Sequence, residues 1–332
     1  MAPFSQWILS SLSFASLQRP IGLGSSPAQE ALQTSKTTTH GAIACESAIC
    51  SNIGASILKK GGNAVDATIA TVLCVGVVGF YHSGIGGGGF AIVRSKSGEY
   101  EAIDFRESAP GAASEDMYRD NYRGAVIGGL AAGVPGELRG LEYLHTKYGK
   151  TAWRDLVMPA VRVARYGWDV NEDLVRYMTA MQNYGNASFF TDDPSWAIDL
   201  APRGRLLQHG ELITRKRYAD TLEIIANEGV KPFYEGAIAK SMISALKGSN
   251  GTMTMDDLKS YPVKIRNVSQ ITYRGYKLSA PSAPTSGTVA LQMLKILEGY
   301  KDMGWPETRN LSTHRLAEAM KWGYAAVSFL SP

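Results

Sequence analysis

Residues 84–107 read GIGGGGFAIVRSKSGEYEAIDFRE, and the order of elements around this stretch decides the fold. Phe90–Val93 and Tyr100–Phe105 are short apolar, β-prone runs separated by a Ser97-Gly98 turn, which predicts a hairpin. Gly86, Gly87, Gly88 and Gly89 lead into it, where the lack of Cβ atoms lets two backbones come close. The hairpin then delivers one arginine, Arg106, at a strand end. Gly84, Gly86 and Gly89 match the dinucleotide-binding fingerprint in letters, but that motif needs a strand before the glycines and a helix after them. Here the preceding segment, Ala64–Val78, is an apolar run suited to a buried helix, and strands follow. The reversed order argues against a nucleotide site.

Working outward, the chain has 332 residues, 45% hydrophobic and 19% charged, enough for a substantial core and unlike a disordered chain. Its net charge of +4 comes from 34 basic and 30 acidic residues spread along the sequence. The longest basic cluster is Arg215-Lys216-Arg217, so no stripe suited to tracking phosphates is present and nucleic acid is not expected as a partner. Cys45, Cys50 and Cys74 form no disulfide framework and read as small buried hydrophobes, with Cys45 and Cys50 on different faces of one helix. The five histidines are scattered without paired-ligand spacing, so no metal site is expected. Ala64–Tyr81 contains Asp66, Thr68 and Thr71 and falls short of the roughly 20 residues a membrane span needs.

Residues 1–38 are rich in Ser, Thr and Pro and read as a tail or targeting segment; 39–332 read as one domain. Trp7–Leu17 is weak as a signal peptide: it is broken by serines, with no Lys or Arg before it. Asn186, Asn250, Asn267 and Asn310 lie in glycosylation sequons. Ile49, Ile53 and Ile57 predict an apolar helix stripe ending at Gly61-Gly62, with Asn63 capping the next helix. Pro135 suits a first helical position before Leu138, Leu141 and Leu144. Trp153–Tyr166 is a further helix that Pro159 is expected to bend or divide. Helices also fit Tyr218–Glu228, Ala237–Leu246, Thr254–Tyr261 and Thr288–Leu297, and residues 271–278 read as strand, turn and strand.

Serine-enzyme motifs are weak. Ser56-Ile57-Leu58-Lys59 and Ser244-Ala245-Leu246-Lys247 fit S-x-x-K without the accompanying elements. His82 reads as a hydrogen-bonded loop histidine. Arg106 is the stronger candidate, because a planar, permanently charged fork matches a carboxylate bidentately. Taken by itself, it would be an ordinary ion pair with Asp104 or Glu107.

Three stretches change that balance: Lys60-Gly61-Gly62-Asn63-Ala64-Val65-Asp66-Ala67, Ser83-Gly84-Ile85-Gly86-Gly87-Gly88-Gly89-Phe90, and Asp104-Phe105-Arg106-Glu107-Ser108-Ala109-Pro110. With Gly133-Val134-Pro135-Gly136, Pro232-Phe233-Tyr234-Glu235-Gly236 and Pro284-Thr285-Ser286-Gly287 in order, the chain from about His40 resembles the large-subunit region of gamma-glutamyltranspeptidases, or glutathione hydrolases. The resemblance implies a mixed α/β (α+β) fold, the four-layer αββα sandwich of N-terminal-nucleophile hydrolases, incomplete without a small subunit cut from the same precursor. It implies no cofactor, and a catalytic threonine at the small subunit's N-terminus that attacks the γ-glutamyl amide of glutathione. Water, an amino acid or a dipeptide then accepts the acyl group. Arg106 takes the donor's α-carboxylate, while Glu107 and Gly86–Gly89 support the hairpin; no catalytic residue transfers onto this sequence. Val327 and Ser331 stand where the family has an arginine and an aspartate. The family points to the secretory route, as a secreted, membrane-anchored or vacuolar protein. A non-catalytic relic binding γ-glutamyl compounds or a partner subunit is one alternative. An acylase acting on another amide is a second, against which Arg106 argues.

Overall fold

The computed structural model describes residues 41–183 and 188–330; residues 1–38, Asn186 and Ser331 lie outside them. Two helices open the domain. In α1 (Ala48–Lys59), Ser47 caps the first turn by accepting from the Cys50 N–H. Asn63 caps α2 (Ala64–Val78) in a reciprocal capping box, with Asp66 N–H donating to Asn63 Oδ1 at 3.0 Å and Asn63 N–H to Asp66 Oδ2 at 2.9 Å. Asp66 is fully buried and also accepts from the N–H groups of Lys150 and Thr151, tying the start of α2 to a turn some 85 residues on.

The buried face of α1 is Cys50, Gly54 and Ile57, while Ile49 is exposed, so the expected Ile49/Ile53/Ile57 stripe is rotated. Close approach explains the rotation: a Cβ on Gly54 would sit 2.2 Å from Thr71 Oγ1 of α2. The cysteines are a second correction. Cys50 and Cys74 are joined in a disulfide between α1 and α2, and Cys45 precedes α1 as a free thiol. Both bonded sulfurs belong to fully buried residues, so burial was read correctly and pairing was missed.

The glycine run leads from α2 into β1 (Gly89–Arg94), which pairs antiparallel with β2 (Tyr100–Phe105) in the register Phe90↔Asp104 and Ile92↔Ala102. Helix before and strand after is the order that argued against a nucleotide. Next come α3 (Glu137–Tyr148) and α4 (Trp153–Tyr166). Pro135 lies ahead of the α3 cap Gly136, because its carbonyl is engaged by the Tyr234 hydroxyl at 3.0 Å. Pro159 leaves α4 undivided. β3 (Trp168–Asp169) pairs with β4 (Leu212–Ile213), and between them run α5 (Glu172–Asn183), α6 (Phe189–Asp192) and α7 (Pro194–Leu200), none of which was expected. Leu174 and Met178, four residues apart and buried, carry the inward face of α5.

α8 (Lys216–Glu228) packs along α4, and Trp153 Nε1–H donates to Ile225 O at 2.9 Å. α9 (Lys231–Tyr234), α10 (Ala237–Gly248) and α11 (Met255–Lys259) follow, the last opened by a Thr254/Asp257 capping box. β5 (Lys264–Arg266) completes a three-stranded sheet in the order β1-β2-β5. β6 (Val268–Tyr273) and β7 (Tyr276–Pro281) form a hairpin whose turn residues, Arg274 and Gly275, both have positive φ, as a two-residue primed turn requires. α12 (Gly287–Glu298) packs on this hairpin and α13 (Arg309–Leu330) on α12. β2 is covered on both faces, whereas Phe90 and Ile92 on the edge strand β1 are exposed.

Among the described residues no helix is long and apolar enough to cross a membrane, and no cluster of three or more His, Cys, Asp or Glu side chains is placed to hold a metal ion.

Candidate functional site

A cavity of about 360 Å³ opens where the end of α2, the glycine run, the end of β2 and the starts of α3 and α8 converge. The glycines make this convergence possible. A Cβ on Gly76 of α2 would lie 2.9 Å from Gly84 Cα, and one on Gly88 would lie 2.2 Å from Phe105 O. Helix, loop and hairpin therefore pack backbone on backbone. Gly86 has nothing within 4 Å of its Cβ position and is exposed. Gly87 O accepts from the N–H groups of Gly136 and Glu137, at 2.9 and 3.0 Å, which seats the start of α3 on the loop.

Arg106 is fixed by its backbone and exposed at its tip. Its N–H donates to Asp104 Oδ1 at 3.0 Å, and its carbonyl accepts from the Tyr261 hydroxyl at 2.6 Å. Asp104 in turn is held by Arg266 of β5, whose Nε–H donates to Oδ2 at 2.8 Å. The guanidinium lines the cavity, its side chain 61% exposed, with Nη1 2.9 Å from Glu107 Oε2. Of the two carboxylates that sequence offered it, Glu107 makes the ion pair and Asp104 is occupied elsewhere. Glu107 also lines the cavity, and Gly87, Gly88 and Gly86 form its wall; Gly89 begins the strand. His82, at the mouth, is bonded through Nε2 to Glu46 Oε1 at 2.6 Å.

Three further groups line the same cavity without having been singled out as site residues: Glu137, Tyr218 and Arg215. The available signal was Glu137 heading the otherwise apolar buried face Leu138, Leu141 and Leu144. Glu137 is 4% exposed, accepts from the Gly84 N–H, and leaves Oε1 with no hydrogen-bond partner among the described residues. Burial, reinforced by the neighbouring Glu107 charge, pushes its carboxyl up to about 7. Burial likewise raises the Tyr218 hydroxyl to about 12, against the pull of the Arg215 charge; that hydroxyl is bonded to the Ile85 backbone.

A stability dependence follows. Between the ordinary glutamate value of 4.5 and about 7, the unfolded chain has released a proton that folded Glu137 retains. Stability therefore falls as pH rises through this window and levels off above it. Glu137→Gln cannot ionise, so it gains on the wild type with rising pH, by an amount on the order of 3 kcal/mol. Urea unfolding of both proteins at about pH 5 and about pH 8 measures the gain, and parallel pH profiles would show that Glu137 ionises freely.

A profile described as Gamma-glutamyltranspeptidase matches residues 50–331. This chain belongs to the gamma-glutamyltranspeptidase family. The glutathione hydrolase proenzyme of Arthroderma benhamiae is 48% identical over 295 residues, covering 86% of this chain and 50% of that protein. Among solved structures, Helicobacter pylori gamma-glutamyltranspeptidase superposes with a TM-score of 0.81 at 34% identity, covering 88% of this chain and 84% of that one. Cephalosporin acylase from Bacillus halodurans superposes at 0.75 with 28% identity, covering 83% and 52%. The fold is thus the mixed helix and strand fold common to gamma-glutamyltranspeptidases and cephalosporin acylase, within the N-terminal-nucleophile hydrolase superfamily. The chain spans about half the length of the curated relatives it matches.

Proposed function

We propose that this polypeptide is the donor-binding half of a gamma-glutamyltransferase and glutathione hydrolase, one part of an αββα sandwich completed by a small subunit of the same precursor. The observation that carries the reading is the Arg106 guanidinium, presented to a cavity from a backbone clamped on both sides. Such a fork takes the α-carboxylate of a γ-glutamyl group bidentately. Glu107 holds the fork in the interim, and the glycine wall leaves room for the glutamyl chain. The exposed apolar residues of β1 are then a face that the small subunit covers.

The chemistry needs a nucleophile from that second part. Its N-terminal threonine hydroxyl attacks the γ-carbonyl, the α-amine takes the hydroxyl proton, and the amine of the leaving group departs with a proton. Water or the amine of an amino acid or dipeptide next attacks the acyl-enzyme and regenerates the threonine. No cofactor enters this sequence. The Cys50–Cys74 disulfide fits a protein that folds in an oxidising compartment, in line with a secretory route.

A chromogenic γ-glutamyl anilide tests the division of labour. The polypeptide of residues 1–332 alone releases no aniline; co-expression with the small-subunit region of a fungal relative restores release. Turnover by the 332-residue polypeptide alone would refute the proposal.

A further inference from the structure

The cavity holds a second guanidinium, which the chemistry above does not use. Arg215 stands just ahead of α8, its side chain 18% exposed, with Cζ 4.4 Å from the ring centre of Phe80 and 4.2 Å from that of Tyr218. The two rings fix its direction and leave its polar atoms poorly served. Nη1 donates to Gly76 O at a long 3.4 Å, Asp199 Oδ2 lies 3.8 Å from Nε, beyond hydrogen-bond range, and Nε is buried with no hydrogen-bond partner among the described residues. Five N–H donors with one long bond among them make an unusual arrangement for a guanidinium this deep. Desolvation at this depth works against its charge, so an anion arriving beside it is favoured.

Arg106 and Arg215 line one cavity of about 360 Å³, a size suited to a small molecule. A molecule with one carboxylate satisfies only one of them. We propose that Arg215 receives a second carboxylate, carried on the leaving group of the donor, so that the site selects γ-glutamyl peptides ending in a free carboxylate over γ-glutamyl amides that lack one. This rests on the glutamyl reading of Arg106 and adds a specificity residue to it. Asp199 moderates Arg215 as Glu107 moderates Arg106, and each carboxylate of the ligand displaces a weaker pairing. Two further ionisable groups on the cavity wall fit a dianionic ligand. Glu137 retains its proton up to about pH 7, and the Tyr218 hydroxyl is neutral at any physiological pH.

The test compares γ-glutamylglycine with its C-terminal amide, two ligands that differ only in the second carboxylate. Calorimetry on the 332-residue polypeptide near neutral pH is expected to show the acid binding about tenfold more tightly than the amide. Arg215→Met, which keeps a long apolar stem between the two rings, removes that preference and leaves the affinity for the amide unchanged. Equal binding of acid and amide by the wild type, or a preference that survives Arg215→Met, overturns the proposal while the glutamyl reading stands. Binding of neither ligand removes both. Should Arg215→Met fail to fold, Asp199→Asn decides: it raises the ratio of acid to amide affinity if Arg215 reaches the ligand, and an unchanged ratio overturns the proposal.

Discussion

Arg106→Ala is expected to weaken the binding of L-glutamine to this polypeptide by roughly 100-fold, the effect of losing the proposed bidentate, charge-assisted pair, worth about 2–3 kcal/mol. The side chain is 61% exposed and its only ionic partner among the described residues is the adjacent Glu107, so its removal leaves the fold nearly untouched. Thermal stability within about half a kcal/mol of the wild type should accompany the lost affinity. Arg106→Lys recovers part of the binding, since a point charge attracts a carboxylate without matching its two oxygens. Calorimetry reads all three proteins. Equal affinity in wild type and Arg106→Ala would detach the guanidinium from substrate recognition and leave the family's fold without its donor site here.

Replacing Cys50 and Cys74 together by alanine is expected to cost between about 3 and 4 kcal/mol, the loop-closure contribution for a bridge of this span. The separation is 24 residues, both half-cystines are buried, and they clamp two helices at a place where Gly54 already requires near contact. For a domain of this size such a loss lowers the melting temperature by roughly 5–7 °C. Because α2 abuts the glycine run through Gly76 and Gly84, the loosened helix is also felt at the cavity wall. Differential scanning calorimetry of the double variant measures the loss, and an unchanged transition would show that the helices hold their spacing without the bond.

Much of the scaffold was legible because periodicity and capping are local. α2, β2 and α4 fall at the limits read from sequence, and Asn63 caps α2 as its position suggests. The disulfide was not legible, since two cysteines on separate helices pair only once the helices are crossed. In the region from Glu172 to Leu200, α6 and α7 have only 4 and 7 residues, too few for a stripe to show, and the 12-residue α5 declares its inward face only through Leu174 and Met178. The cavity was legible in part. The family motif draws attention to Arg106 and the glycines, whereas Arg215 looked like one member of a surface basic cluster and Glu137 like one more polar residue at a helix start. Their meaning comes from depth and from neighbours 50 to 140 residues away, such as Gly84 and Gly76, which no local pattern encodes.

The link from Arg106 through Asp104 to Arg266 has a kinetic corollary. Asp104 lies in the second arm of a hairpin that can close within microseconds, yet its side chain is anchored by a residue 162 positions later in the chain. Closure over that distance costs more entropy than the hairpin's own turn, so the hairpin acquires its shape early and Asp104 gains its anchor on Arg266 only when β5 docks. During synthesis, the nascent protein would carry a formed but untuned arginine until the ribosome had passed position 266 and β5 had emerged.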